Sequence, residues 1–228
     1  MHETMKRTAI LFDMDGLMVD TEPLARQSWE RVAGHYGATI TDDLNDRMLG
    51  LRTVESAQLV LDDLRLPVPL DELIARKTAD YLDSIDGGVP AMPGLWTLLD
   101  RIAALGLPWA VATSTPRPVA EIVLDKLGVV GRYRALACGD EVTRGKPAPD
   151  IFLLAAERIG VPAVACLALE DSPTGCAAAV AAGMRVVAVG EGAMAVTSGS
   201  GGTPFAGAWR RYPSLVGVAA DLEEILSK

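Results

Sequence analysis

The stretch Thr8-Ala9-Ile10-Leu11-Phe12-Asp13-Met14-Asp15-Gly16 decides the fold. Its first five residues are a short apolar run that stops abruptly at a carboxylate. A run that is apolar at nearly every position, rather than at every second one, reads as a strand covered on both faces, as in a parallel sheet. Similar runs recur at residues 109–112, 164–169 and 185–189. Between them apolar residues return every three or four positions: Leu95, Leu98, Leu99 and Ile102; Val119, Ile122, Val123 and Leu127; Ile151, Phe152, Ala155 and Ile159. Strands alternating with amphipathic helices predict an α/β fold, a doubly wound parallel sheet with helices on both faces.

One stretch breaks the alternation. From Thr21 to about Val89 there is no strand pattern, but helical spacing appears in Leu24, Trp29, Val32 and Tyr36, in Val54, Ala57, Leu61 and Leu64, and in Leu70, Leu73, Ile74 and Tyr81. A single crossover needs far fewer residues, so this reads as an inserted α-helical cap domain with Trp29 and Tyr36 in its core. Gly16 with residues 21–23, and Asp86-Gly87-Gly88 with Pro90 and Pro93, read as hinges. The expected division is a core of residues 1–18 and 92–228 around a cap of residues 19–91. Near the C-terminus a Gly/Ser-rich loop around residues 198–202 precedes an expected last strand at 215–218 and a helix from Asp221.

Composition narrows the chemistry. The chain has 228 residues, half of them hydrophobic, and a chain of that length removes roughly 70–75% of its extended surface from water. Its 30 acidic and 21 basic side chains leave a net charge of −9, which argues against binding nucleic-acid backbones. Cys138, Cys166 and Cys176 are odd in number, widely spaced and form no CxxC pair, so a reducing, cytoplasmic setting is expected rather than zinc or disulfides. No apolar segment approaches the ~18 residues that span a bilayer. His2 and His35 are the only histidines, so catalysis is expected to run on carboxylates, lysine or hydroxyls.

In open parallel sheets, ligands bind beyond the carboxyl ends of the strands. Asp13 and Asp15 follow the first run, with Gly16 permitting a turn that a side chain would oppose. Thr113-Ser114-Thr115 follow the second, either as donors to a phosphoryl oxygen or as a helix cap ahead of Pro116. After the third come Glu170-Asp171-Ser172-Pro173. Ser172 reads as a cap with Pro173 in the first helical position, which leaves two adjacent carboxylates unexplained. Lys146 sits in Gly145-Lys146-Pro147-Ala148-Pro149-Asp150, where prolines stiffen the loop. Carboxylates crowded at one edge repel, and a hard divalent cation, magnesium first among them, relieves the repulsion. Such a cation with Lys146 suits a phosphoryl group meeting an anionic nucleophile.

The segments Asp13-Met14-Asp15-Gly16, Thr113-Ser114, Lys146-Pro147 and Glu170-Asp171, in this order and with a helical insert after the first, closely resemble the haloacid dehalogenase superfamily of phosphohydrolases. The string from Phe12 to Pro23, FDMDGLMVDTEP, is similar to the branch holding small-metabolite phosphatases, pseudouridine-5′-phosphatase-like proteins and β-phosphoglucomutase. The resemblance implies a Rossmann-like core and a Mg2+-dependent phosphomonoester hydrolase acting on a sugar or nucleoside monophosphate. It implies Asp13 as nucleophile and metal ligand, and Asp15 as acid and base with its backbone carbonyl on the metal. It implies Thr113 and Ser114 on the phosphoryl group, Lys146 as the neutralising cation, Asp171 as a metal ligand, and Glu170 as a ligand directly or through water. Candidate substrate contacts are Glu22, Leu24, Gly50, Leu51 and Arg52 on the cap and Thr115 and Arg117 on the core. A small soluble metabolite is the expected partner, with no nucleic acid or membrane, for a monomer or weak homodimer.

Departures within the family order the alternatives. Asp15 argues against dehalogenases, which lack the second aspartate. Lys77 is the only lysine in the insert and lies far from its first part, which argues against the Schiff-base phosphonate-cleaving members. β-Phosphoglucomutases usually carry a histidine where this chain has Ala25 and an arginine where it has Thr53, with Arg52 as a neighbour that would compensate, so the mutase is the second reading. A dinucleotide-binding protein is a third: Gly190-Glu191-Gly192-Ala193-Met194-Ala195 imitates the G-x-G-x-x-A fingerprint, but the Gly/Ser-rich stretch after it cannot open the long helix the fingerprint demands.

Overall fold

A computed structural model describes residues 7–194 and 205–227. In chain order the elements are β1 (Ala9–Phe12), α1 (Glu22–His35), α2 (Asp42–Met48), α3 (Thr53–Leu64), α4 (Leu70–Ser84), α5 (Leu95–Ala104), β2 (Trp109–Thr113), α6 (Arg117–Leu127), β3 (Ala135–Cys138), α7 (Asp150–Ile159), β4 (Cys166–Glu170), α8 (Pro173–Ala181), β5 (Arg185–Val189), α9 (Glu191–Met194), β6 (Arg210–Tyr212), α10 (Leu215–Ala220) and α11 (Leu222–Ser227). The six strands form one parallel sheet in the order β3-β2-β1-β4-β5-β6. The sheet is the doubly wound α/β architecture that the alternation predicts.

The sheet is covered on both sides, which explains its unbroken apolar strands. Ile10 and Phe12 point into a core of large side chains that includes Val111, Leu167, Leu169, Leu98 and Ile102. Ala9 and Leu11 point the other way, into a core rich in alanine that includes Ala110, Ala112, Ala168 and Phe152. Small side chains on that second face let α7 and α8 lie close to the strands. Phe12 is fully buried and packs edge-on against Trp109 at 5.3 Å, a site where truncation to alanine costs about 3–5 kcal/mol.

Helices α1 to α4 lie between β1 and α5 and carry a third core, with Trp29, Val32, Ala33, Leu44, Val60 and Leu73 in its centre. The two passages joining these helices to the sheet run side by side. Val19 pairs with Ala91 in an antiparallel bridge, flanked by Asp20 N to Pro90 O and Met92 N to Met18 O hydrogen bonds of 3.0 and 2.9 Å.

The structure corrects several details. Residues 215–218 are not a strand but the start of α10, because Leu215, Val218, Ala219 and Leu222 are buried at helical spacing while Val216 is 56% exposed. β3 and β6 are strands that the sequence reading did not identify, and α2 is a further helix in the insert. The third apolar run starts with a short 3₁₀ turn, so its strand is Cys166–Glu170 and carries the carboxylate itself. Residues 198–202 lie outside the described residues.

Candidate active site

The chain winds to one side from β1 through β2 to β3 and to the other from β4 onward, so the switch point lies between β1 and β4, where a crevice opens beyond the strand ends. Asp13 leaves β1 there and donates its backbone N–H to Leu169 O at 3.1 Å, which ties it to β4. Glu170 is the last residue of β4, Asp171 the next, and Thr113 the last residue of β2. Lys146 arrives from the loop before α7, across a cis Lys146–Pro147 bond.

The four segments converge. Lys146 Nζ donates to Asp13 Oδ1 at 2.5 Å and to Glu170 Oε1 at 2.6 Å, with its side chain only 1% exposed. Below it, the ring of Phe152 lies 5.2 Å from the ammonium. Burial alone would lower the lysine pKa, but the two carboxylates outweigh it and hold the ammonium charged. Oxygens of Asp13, Glu170 and Asp171 lie within 4.8 Å of one another. Burial first, and then the neighbouring carboxylates, push the Asp13 carboxyl up to about 8 against the opposing pull of Lys146, and hold Asp171 well above the usual range. Hard oxygen donors crowded at a partly desolvated strand edge fit a divalent cation.

Glu170 is fixed from several sides. Its Oε2 accepts from Asp171 N, Ser172 N and Ser172 Oγ at 3.0, 3.1 and 3.0 Å. Ser172 also caps α8, accepting from Gly175 N at 3.0 Å, as its place before Pro173 predicts. Gly175 is required by this packing, since a Cβ there would run into the Glu170 carboxylate. Gly16 has φ +78°, and a Cβ on it would run into Asp171 Oδ2.

Asp15 is held by three hydroxyls. Thr21 Oγ1 donates to Oδ1 at 2.7 Å, while Thr115 and Thr113 donate to Oδ2 at 2.7 and 3.4 Å. Thr115, expected at the substrate, thus orients Asp15. Ser114 Oγ donates to Gly50 O at 2.8 Å and joins the sheet to the inserted helices.

Above these groups lies a cavity of about 520 Å³, lined from the sheet by Asp13, Asp15, Thr113, Ser114, Thr115 and Asp171. From α1–α4 and their loops it is lined by Glu22, Trp29, Asn45, Asp46, Gly50, Leu51, Thr53, Ser56, Lys77, Thr78 and Tyr81. Lys146 and Glu170 are buried behind its floor. Two expected substrate contacts are directed elsewhere. Arg117 pairs with Glu121 and Glu141 and donates to Leu136 O, and Arg52 pairs with Glu55 and donates to core carbonyls. Neither Arg52, Arg117 nor Leu24 lines the cavity. The Gly190 imitation of a nucleotide fingerprint opens into α9, four residues long, and its Ala195 lies outside the described residues.

The sequence reading missed Lys77 as a cavity residue and set it aside because of its distance along the chain. One helical turn from Tyr81, it reaches the cavity with its ammonium 4.5 Å from the Tyr81 ring centre and 5.6 Å from that of Trp29. Burial lowers its pKa against the pull of Asp15 and Asp80. Spacing of Trp29, Lys77 and Tyr81 on their helices was the available signal, but which faces of α1 and α4 meet is set by packing. Trp29 serves both the helical core and the cavity wall. No described helix is long and apolar enough to cross a membrane.

Comparison with known proteins agrees with this geometry. Residues 8–183 match the family described as haloacid dehalogenase-like hydrolase. The chain is 37% identical over 190 residues to a probable pseudouridine-5′-phosphatase of Drosophila melanogaster, covering 81% of this chain and 82% of the relative. It is 35% identical over 182 residues to the fructose-1-phosphate phosphatase of Escherichia coli (strain K12), covering 79% and 95%. In fold it is similar to a β-phosphoglucomutase of Clostridium difficile, with a TM-score of 0.85 at 22% identity over 97% of each chain.

Proposed function

This chain belongs to the haloacid dehalogenase-like hydrolases and is a phosphatase, and on that premise we propose that it is a magnesium-dependent phosphomonoesterase that cleaves a small sugar or nucleoside monophosphate through an aspartyl-phosphate on Asp13. The observation that carries the reading is the buried contact of Asp13 with Lys146, at 2.5 Å, at the floor of the cavity. A carboxylate nucleophile must be ionised when it meets an anionic phosphoryl group. Burial raises the Asp13 carboxyl to about 8, and the fixed ammonium beside it, with a bound cation, would favour the ionised form and lower the repulsion.

In this reading an Asp13 oxygen attacks phosphorus and the bond from phosphorus to the alcohol oxygen breaks, the alcohol taking a proton from Asp15. Water then attacks phosphorus and gives its proton to Asp15, releasing phosphate and restoring both carboxyl groups. Thr113 and the backbone of Ser114 hold phosphoryl oxygens. Thr21 and Thr115 hold Asp15 in its place beside the cavity. Asp13, Asp171 and the backbone carbonyl of Asp15 are the residues that would hold magnesium, which supplies positive charge for the approach of two anions. Both oxygens of Glu170 are engaged by Lys146 and the 171–172 segment, which favours action through these groups or through water. Residues 19–91 act as a lid that excludes water while the alcohol leaves and admits it for the second step.

The upper wall supports a polyhydroxy or nucleoside substrate. It carries Asn45, Thr53, Ser56 and Thr78 together with Trp29 and Tyr81, with Lys77 as a cation for a polar or anionic substituent. The mutase reading needs a cationic cradle for a second phosphate, for which Lys77 offers a single cation. Arg52 does not line the cavity, and Arg26 does but pairs with Glu30 and Asp42 at 2.8 and 2.6 Å, so neither arginine adds to Lys77 and hydrolysis is favoured.

The test is turnover of p-nitrophenyl phosphate, followed by a screen of sugar phosphates, nucleotides and pseudouridine 5′-phosphate with β-glucose 1-phosphate isomerisation assayed in parallel. Asp13→Asn abolishes turnover while the circular dichroism spectrum stays unchanged. Full activity in that variant refutes the nucleophile, and isomerisation faster than phosphate release establishes the mutase instead.

A further inference from the structure

We propose that Arg52 is a positioning residue, a lid side chain that seats on the loop of residues 139–145 and holds Lys146 in register with Asp13 when the cavity is closed. The inference rests on the reading of Lys146 as the cation beside the nucleophile, and adds to it a residue that touches neither substrate nor reacting atoms.

Arg52 is the N-cap residue of α3, and its own helix fixes its guanidinium. Nε and Nη2 donate to Glu55 Oε1 at 2.9 and 2.5 Å, while Glu55 Oε2 accepts from Arg52 N at 3.1 Å. Held this way, Nη1 is directed at the sheet side of the molecule, where it donates to Val142 O at 3.1 Å and Thr143 O at 3.4 Å. The side chain is 19% exposed. The loop is shaped to receive it. A Cβ on Gly145 would lie 2.7 Å from Arg52 Nε and 2.9 Å from Glu55 Oε1. The Arg52–Glu55 pair therefore lies directly on backbone, and Gly145 is the residue before Lys146.

The loop is anchored at its ends and, near Lys146, by Arg144 on Asp150 and Ala148 N on Gly145 O, and its middle takes further donors from the lid. Glu141 is clamped by Arg117 and Arg158 at 2.7 and 2.8 Å, and Lys146 is clamped by Asp13 and Glu170. Between them Arg52 supplies donors from α3. The same lid segment meets the loop after β2 and the first turn of α8, through Ser114 Oγ on Gly50 O and Thr174 Oγ1 on Leu49 O. Lifting the lid withdraws a charged donor from the carbonyls of Val142 and Thr143, four and three residues before Lys146, so lid closure and the setting of the lysine are linked through this loop.

The experiment compares the full-length protein with Arg52→Ala and Arg52→Lys by hydrogen–deuterium exchange and by steady-state turnover of p-nitrophenyl phosphate. In Arg52→Ala, exchange in residues 139–146 rises several-fold while β1 and β4 are unchanged, and kcat falls about tenfold with KM within about twofold, the size of one lost charge-assisted hydrogen bond. Arg52→Lys keeps the charge, folds, and recovers part of both effects. Unchanged exchange in 139–146 overturns the proposal, as does a fall in activity matched by uniform exchange across the lid with that loop unmoved. Because exchange is read without turnover, a wild-type protein with no phosphatase activity would sink the catalytic reading and leave the positioning role to be decided separately.

Discussion

Replacing Lys146 by methionine tests the electrostatic centre of the site. The side chains are similar in length, so the change removes the charge and leaves most of the packing against Phe152. In the native protein the ammonium lies 2.5 Å from Asp13 and 2.6 Å from Glu170, with all three groups buried. Removing one member of a buried ion pair leaves uncompensated charge and costs about 3–5 kcal/mol. A domain of this size loses about 2–4 °C in Tm per kcal/mol, so Lys146→Met is expected to melt about 6–20 °C lower in EDTA at neutral pH. The double variant Lys146→Met/Glu170→Gln should recover part of the loss, because it removes one of the stranded charges. Saturating magnesium should also recover part, by supplying another counter-charge. Scanning calorimetry of the parent, the single variant and the double variant, with and without magnesium, measures each arm. A Lys146→Met protein melting within about 1 °C of the parent, or a double variant less stable than the single one, would refute the claim that this lysine is the counter-charge for Asp13 and Glu170.

Gly175→Ala drives a methyl group into a Glu170 carboxylate that three donors and Lys146 already hold. It should cost about 1–3 kcal/mol and slow turnover, both read from urea unfolding and kcat. Chelation by EDTA should remove activity and magnesium restore it, and full activity in EDTA would contradict the metal assignment. Glu141 is held down to about 2 by hydrogen bonds from Arg158 and Arg117, against an ordinary value of 4.5. Its contribution is therefore complete above pH 4.5 and is lost as pH falls toward 2, where the folded state at last takes the proton. Glu141→Gln should be about 1–3 kcal/mol less stable than the parent at pH 6, with the gap narrowing by pH 2 in urea midpoints.

The strands that could be read from sequence are those whose side chains match their burial. β1, β2, β4 and β5 are apolar runs covered on both faces, and covering is what makes every residue apolar. β3, Ala135-Leu136-Ala137-Cys138, has no β-branched or aromatic residue, and becomes a strand because the open edge of β2 offers it a ladder. β6 has the opposite difficulty, since Arg210-Arg211-Tyr212 is a polar edge strand with no apolar signal at all. Residues 215–218 mislead in the other direction: four residues are too few to distinguish period two from period 3.6, and the buried partner that settles the matter, Leu222, lies one turn beyond.

The site divides along the same physical line. Its floor was legible because strand ends in a parallel sheet must gather at one edge, so residues attached directly to β1, β2 and β4 can be placed by counting along the chain. Lys146 was legible for a related reason, being a charged residue in a proline-stiffened loop beside that edge. The lid wall obeys no such rule. Lys77 reaches the cavity only because α1 and α4 pack with Trp29 and Tyr81 facing each other across it. Arg52 does the reverse, sitting two residues from the cavity-lining Gly50 and yet turning its charge onto the opposite loop, because Glu55 one turn along α3 captures it first. An i, i+3 charge pair at a helix start is visible in sequence, and it is the one signal that separates an arginine available to substrate from one already committed to structure. On the proposed reading of residues 19–91 as a lid, specificity is decided by such local competitions, and the substrate screen should track the cavity-lining polar side chains Lys77, Asn45, Thr53 and Ser56.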